Sequence, residues 1–266
     1  MSPPKTWCWN APKPCKHRRS APIRVSTLFV SDLHLCAGRP QSNRGFFGFL
    51  KHEARDASAL YILGDLFEYW VGDDDLDDAF NASVVAALAE LASAGVPIYL
   101  MHGNRDFVIG EAFARASRVS LLPDPSLVDL YGQPTLLMHG DTLCTLDTEY
   151  QAFRREARSP QWIGALLRQP LVERKAAVEA LRRKSEQEKR IKPTEIMDVA
   201  PDEVETVLRR HGYPRLIHGH THRPARHVHT VDGHVCERWV LADWYQGGSY
   251  LTCDESGCRA VQLPQG

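Results

Sequence analysis

From Val25 onward, short apolar runs alternate with longer amphipathic stretches. Thr27–Val30, Leu60–Leu63, Pro97–Met101, Thr135–Met138 and Pro214–Ile217 are almost continuously apolar, the pattern of strands covered on both faces. Residues 46–55 and 78–94 carry their apolar positions at helical spacing. This alternation predicts a layered α+β or α/β domain. Residues 228–263 read as extended runs broken by turn residues such as Asp232-Gly233, which predicts hairpins.

One stretch breaks the rhythm. Arg154 to Lys192 is helical in pattern and carries twelve Lys or Arg against five Glu, with Trp162, Ile163, Leu166, Leu167, Leu171 and Val172 near its start. It predicts a helical insertion, because the strand pattern resumes after it. The expected organisation is a basic tail over 1–24, a first core segment over 25–146, a helical insertion over 147–195 and a second core segment over 196–266. The tail holds Lys5, Lys13, Lys16, Arg18, Arg19 and Arg24, several prolines and no acid. It is expected to be disordered, and no apolar stretch follows its charges as in a secretory signal. A second expectation is that translation starts at Val25, where the regular pattern begins.

Composition narrows the class. A net charge of -1 gives no global attraction to nucleic acid. The longest apolar stretch, Val84 to Met101, is interrupted by Glu90, Gly95 and Pro97, short of the roughly 18 residues a spanning helix needs. The seven cysteines lack paired CxxC spacing and are expected to be reduced thiols, although Cys253 and Cys258 flank a plausible hairpin loop.

The chemistry lies where the strands end. Asp32 and His34 follow the first, Gly64-Asp65 the second, Gly103-Asn104-Arg105-Asp106 the third and His139-Gly140-Asp141 the fourth; His218-Gly219-His220-Thr221-His222 follows the fifth. Residues two apart in extended chain project to one side, so Asp32 with His34, and His218 with His220, can converge. Gly64, Gly103, Gly140 and Gly219 permit sharp turns and close approach. Mixed carboxylate, amide and imidazole donors suit Mn²⁺ or Fe²⁺, with zinc an alternative.

These motifs resemble those of the calcineurin-like metallophosphoesterases, whose pattern runs D-x-H, GD, GN, H and G-H-x-H. The resemblance covers nearly all of Thr27 to Leu263 and implies a sandwich of two mixed β-sheets flanked by helices, with the helical insertion as a lid. It implies that Asp32, His34, Asp65 and His220 hold one metal. Asp65, Asn104, His139 and His218 would hold the second, Asp65 bridging, with two Mn²⁺ ions the expected cofactors and other divalent transition metals the alternative. Asp65, Asn104, Arg105 and His139 are the residues expected at the reacting phosphoryl group.

Many members of the family carry histidine after Gly-Asn, able to protonate an alkoxide leaving group. Here Arg105 stands in that place, permanently charged and unable to give up a proton, but able to clamp a phosphate. A phosphate leaving group, with a second pKa near about 6, departs without a proton, so Arg105 favours cleavage of a pyrophosphate. In the competing reading His222 supplies the proton.

Longer matches narrow the resemblance: Asp32-Leu-His-Leu, Gly64 to Trp70, His102 to Asp106, His139 to Cys144 and Glu195 to Val199. They resemble the branch that cleaves the pyrophosphate of UDP-2,3-diacylglucosamine in lipid A synthesis. That branch implies substrate contacts from Asn104, Arg105, Asp147, Ser185, Lys192 and His220, and from Lys189 at a place usually held by Asn. It also implies a UDP-linked diacylated glucosamine lipid as partner and a cytoplasmic protein held peripherally on the inner membrane; a monomer with no nucleic-acid partner is expected. Trp162, Ile163, Leu166, Leu167 and Leu171 would line an acyl groove, and the basic residues would face diphosphate or headgroups. Phe67, Tyr69 and Trp70 either rim that groove or pack under a loop. The acids from Asp73 to Asp78 are expected as a solvated loop leading into a helix N-terminus, with a cation site as the alternative. The competing functions are another dinuclear phosphoesterase, a nuclease, and a binding module on the same fold. A binding module would have lost ligands.

Overall fold

In the computed structural model, which describes residues 26–189 and 196–264 (184–189 as backbone alone), the predicted strands divide between two sheets. The first has the order Gly257–Gln262 (β11), Ser249–Asp254 (β10), Thr27–Val30 (β1), Ala59–Leu63 (β2), Ile98–Met101 (β3), Ser120–Leu122 (β4). The second runs Ser126–Leu130 (β5), Gln133–Met138 (β6), Arg215–His218 (β7), His234–Val240 (β9), Ala225–Val231 (β8). Strands β1 to β4 are parallel and joined through helices Pro40–Lys51 (α1), Ala79–Ser93 (α2) and Glu111–Ser117 (α3). In the second sheet β6, β7 and β9 are parallel; antiparallel strands close both edges of that sheet and the β11 edge of the first. The basic tail and Lys192 lie outside the described residues.

Side-chain alternation explains the layering. In β1, Leu28 and Val30 join Leu60, Ile62, Ile98 and Leu100 in packing against Phe46, Phe49, Val84 and Leu88 of the helices. Phe29, between them, points the other way and meets Leu63, Met101, Leu137, Ile217 and Leu251 in the seam between the sheets. On the far side of the second sheet, Leu136, Met138 and Leu216 pack on Val204, Val207 and Leu208 of Pro201–Arg210 (α7). Strands sandwiched in this way are apolar at every position, as the sequence pattern required. At the end of the chain, Asp232 and Gly233 take positive φ of 50° and 83° in the turn joining β8 to β9, the hairpin their pairing predicted.

The insertion forms three helices, Thr148–Ala157 (α4), Pro160–Leu167 (α5) and Leu171–Lys189 (α6), between β6 and α7. Asp147 and Ser159 cap the first two, accepting from the amides of Tyr150 and Trp162, and Pro160 occupies the first turn of α5. Trp162 and Ile163 pack on the core and Leu166 is buried, whereas Leu167 and Val172 face solvent.

The acidic loop does something the sequence reading missed. Arg174 of α6 is 1% exposed, and its guanidinium donates to the carbonyls of Val71 and Gln169 and to Asp74. Lys175 reaches Asp75 at 2.6 Å. Asp73 accepts from Trp70 Nε1 and from the amides of Gly110 and Phe113, and Asp78 caps α2. The loop leads into the N-terminus of α2 as expected, but Asp73, Asp74 and Asp75 are taken up by internal contacts, and the latter two make it a dock for the insertion. Because Asp74 is exposed, the ion pair itself counts for little. Arg174→Met is expected to cost about 2 kcal/mol, mainly from the unsatisfied carbonyls, read as a lower Tm in thermal denaturation.

A second correction concerns the cysteines. Cys253 and Cys258 stand opposite one another in the β10–β11 register and form a disulfide, while Cys36, Cys144 and Cys236 are free thiols. Opposed positions on a hairpin bring the two Cα atoms to 4.1 Å, so pairing follows from register.

Candidate metal centre

The loops carrying the polar motifs leave the carboxyl ends of the parallel strands, and the two sheets bring those ends together. His34 Nε2 lies 3.9 Å from Asp32 Oδ1, 3.8 Å from Asp65 Oδ2 and 3.3 Å from His222 Nε2; His222 Nε2 is 3.3 Å from Asp32 Oδ1. Next to this set, His139 Nε2 lies 3.8 Å from Asp65 Oδ1 and 3.0 Å from Asn104 Oδ1, which is 2.9 Å from His220 Nδ1. The two oxygens of Asp65 thus face different donor sets.

Neighbouring groups orient these side chains. Ser31 Oγ and the His220 amide donate to Asp32 Oδ2, leaving Oδ1 toward the imidazoles. His139 Nδ1 donates to the Leu63 carbonyl at 2.9 Å, which keeps the lone pair on Nε2. The buried Asp106 carboxylate accepts from the amides of Leu66 and Gly103 at 2.8 Å each and ties two of the loops together. A Cβ on Gly103 would come within 2.3 Å of the Asp65 amide nitrogen, so only glycine lets these loops touch. Asp32, His34, Asp65, His220 and His222 all have positive φ, between 49° and 69°. Left-handed backbone at so many non-glycine residues in one place is strain held by its surroundings, as functional sites show.

His218, expected in the second set, is placed elsewhere. It ends β7 and is fully buried, its Nδ1 bonded to the Gly219 carbonyl at 2.9 Å and its Nε2 lying 3.1 Å from Arg238 Nη1. The two-apart spacing still operates, but on His220 and His222. The strand runs through His218, and only beyond Gly219 does the chain turn toward the acids.

The electrostatics fit bound cations. Burial pushes the Asp65 carboxyl up to about 7, against the pull of His139. Burial disfavours charge on His139, yet the carboxylates of Asp65, Asp141 and Asp32 raise its imidazole to about 9. Burial also opposes ionisation of Asp32, but His222 and the other imidazoles hold its carboxyl well below the ordinary range. Buried acids and imidazoles that hold their charges only beside one another could instead hold a divalent metal, which would take the place of the imidazole protons.

Two acids around this cluster had no role assigned from the sequence. Asp141 is fully buried and binds Arg154 Nε at 2.6 Å and Tyr150 Oη at 2.7 Å, both on α4, while the Tyr150 ring stacks on His220. Glu68, 1% exposed, joins Arg39 at 2.7 Å to Arg182 of α6 at 3.0 Å. Both acids connect the insertion to the ligand loops. The signal for Glu68 was a carboxylate inside an otherwise apolar run, Leu66-Phe67-Glu68-Tyr69-Trp70.

A cleft of about 670 Å³ opens beneath the insertion. Asn104, Arg105, Asp147, His220 and His222 line one part, and Phe153, Trp162, Leu166, Val178 and Leu181 another. Tyr69 and Trp70 line it too, whereas Phe67 packs in the core. Of the expected groove residues, Ile163, Leu167 and Leu171 are not in its wall. Ser185 and Lys189 lie on α6, described there as backbone alone.

The calcineurin-like phosphoesterase profile matches residues 25–224. A UDP-2,3-diacylglucosamine hydrolase of Aromatoleum aromaticum is 57% identical over 233 residues, 88% of this chain and 95% of that protein. Enzymes of the same name are 52% identical in Pseudomonas paraeruginosa, over 90% of this chain and 100% of theirs, and 51% identical in Cellvibrio japonicus, over 88% and 97%. The chain belongs to the calcineurin-like phosphoesterase family, alongside its UDP-2,3-diacylglucosamine hydrolases.

Proposed function

We propose that this protein hydrolyses the pyrophosphate bond of UDP-2,3-diacylglucosamine, releasing UMP and 2,3-diacylglucosamine 1-phosphate for lipid A synthesis. The observation that carries the reading is the cleft. One cavity joins a dinuclear-type donor set to an apolar arm under a helical insertion, as a substrate with a diphosphate and two acyl chains needs. The high identity to enzymes named for that reaction supports the same substrate.

Asp32, His34, Asp65 and His222 would hold one cation, and Asp65, Asn104, His139 and His220 the other, with Mn²⁺ suited to the oxygen and imidazole donors. A bound divalent pair supplies a water of lowered pKa and neutralises charge on phosphoryl oxygens. The rest falls to the chain's own groups. The Arg105 guanidinium lines the cleft, and its backbone amide donates to Asp65 Oδ1 at 2.8 Å, so a phosphate clamp is fixed to the bridging ligand. It cannot deliver a proton, and a phosphate leaving group does not need one. Asp147 caps α4 and lines the cleft, offering a carboxylate that would suit the hydroxyls of the sugar. Phe153, Trp162 and Leu181 offer apolar surface to the acyl chains. No described helix is long and apolar enough to cross a membrane, and peripheral contact with the inner membrane follows from the lipid substrate.

Purified protein incubated with UDP-2,3-diacylglucosamine and Mn²⁺ is expected to release UMP, and chelator is expected to stop it. Metal-dependent cleavage of a generic phosphodiester without turnover of the lipid would retain the chemistry and reject the substrate.

A further inference from the structure

Behind the loop that carries His220 and His222 lies a second cavity, of about 450 Å³, between the β8–β9 hairpin and the start of α7. Thr221 and Arg223 line both this cavity and the catalytic cleft, so the two share a wall. Arg238, 7% exposed, faces the cavity. Its Nε donates to His229 Nε2 at 3.1 Å and its Nη1 lies 3.1 Å from His218 Nε2. Among the described residues no carboxylate lies within ion-pair distance of Arg238; Asp198, the acid in the cavity wall, pairs with Arg223. Burying a guanidinium among imidazoles with only the more distant Asp198 to offset its charge is costly, and the guanidinium carries more donors than these two imidazoles accept. Burial, with the Arg238 cation beside them, lowers the pKa of His227 and His229, which favours neutral imidazoles. The Thr221 hydroxyl is buried and has no hydrogen-bond partner.

We propose that this cavity is the nucleotide subsite, holding the uridine monophosphate end of the substrate while the apolar arm of the cleft holds the acyl end. The inference rests on the substrate reading above. A diphosphate at the ligand cluster has two substituents of opposite character, and the structure offers two chambers that meet at Thr221 and Arg223: one carries the aromatic and aliphatic side chains of the insertion, the other carries Arg238, His227 and His229. Thr221 and Arg223, in the shared wall, meet the phosphate of the nucleotide. Arg238, His227 and His229 present donors to the carbonyl oxygens of uracil and the hydroxyls of ribose.

The test is calorimetric titration of the Mn²⁺-loaded protein with UMP and, separately, with inorganic phosphate, for the wild type and for Arg238→Met, Arg223→Met and His227→Ala. Each substitution is expected to weaken UMP by about tenfold, while phosphate, held at the ligand cluster, changes by less than about twofold. Retained phosphate binding certifies the fold; should Arg238→Met fail that check, the two variants at the more exposed positions carry the test. UMP affinity unchanged in the folded variants overturns the subsite, even if UDP-2,3-diacylglucosamine is hydrolysed. Variant-sensitive UMP binding by a protein that does not hydrolyse the lipid leaves the subsite standing and rejects the lipid assignment alone.

Discussion

Replacing Asp65 by alanine is expected to remove metal-dependent hydrolysis and to leave at most one metal ion per chain. The size of the effect follows from the position of the side chain. One carboxylate oxygen lies 3.8 Å from His34 in the first donor set and the other lies 3.8 Å from His139 in the second. Removing it damages both sets and releases the Arg105 amide that it accepts. Each cation of such a pair contributes several kcal/mol to the transition state, and 1.36 kcal/mol is a factor of ten, so kcat/KM should fall by about 10³-fold or more. Metal content by mass spectrometry and UMP release together check the claim. An alanine variant that still holds two ions and turns over would mean that Asp65 does not bridge. Asp65→Asn keeps the shape and loses the charge, and it should fall between alanine and wild type in metal affinity.

Much of this arrangement is legible in the sequence, for a physical reason. Strands covered on both faces must be apolar throughout, so polar residues of ligand type right after them stand out. Asp32, Asp65, Asn104 and His139 each follow such a strand and each reaches the site. The end of β7 was harder. His218, His220 and His222 are chemically alike, and only backbone direction separates them. That direction depends on the positive φ of His220 and His222 and on Arg238, twenty residues away, taking His218. The function of the acidic loop was hidden for a similar reason. Asp74 and Asp75 find Arg174 and Lys175 a hundred residues further on, and no local spacing announces such a pairing. Glu68 and Asp141, which tie the insertion to the ligand loops, belong to the same class of long-range contact. The outer elements β4, β5 and α3 are short or partly exposed, so they offer few apolar positions from which a period can be read.

The assignment of His222 over His218 gives the second large expected effect. His222→Ala should weaken metal binding and lower kcat/KM by at least about 10²-fold, because it removes one donor from the set formed with Asp32 and His34. His218→Ala should leave the metal content near wild type. Its cost is structural: a buried ring is lost beneath Gly140, and the Arg238 guanidinium loses an acceptor, which together destabilise the fold by about 2 kcal/mol. Metal titration and denaturant unfolding of the two variants separate these outcomes, since one should move the first measurement and the other the second. If His218→Ala lost the metal and His222→Ala kept it, the donor sets would have to be redrawn around the end of β7. His222→Asn sharpens the comparison by offering an oxygen donor on a shorter arm. It should recover part of the metal affinity but little of the rate, because the ligand atom would sit farther from Asp32 Oδ1 than the imidazole nitrogen, now 3.3 Å away.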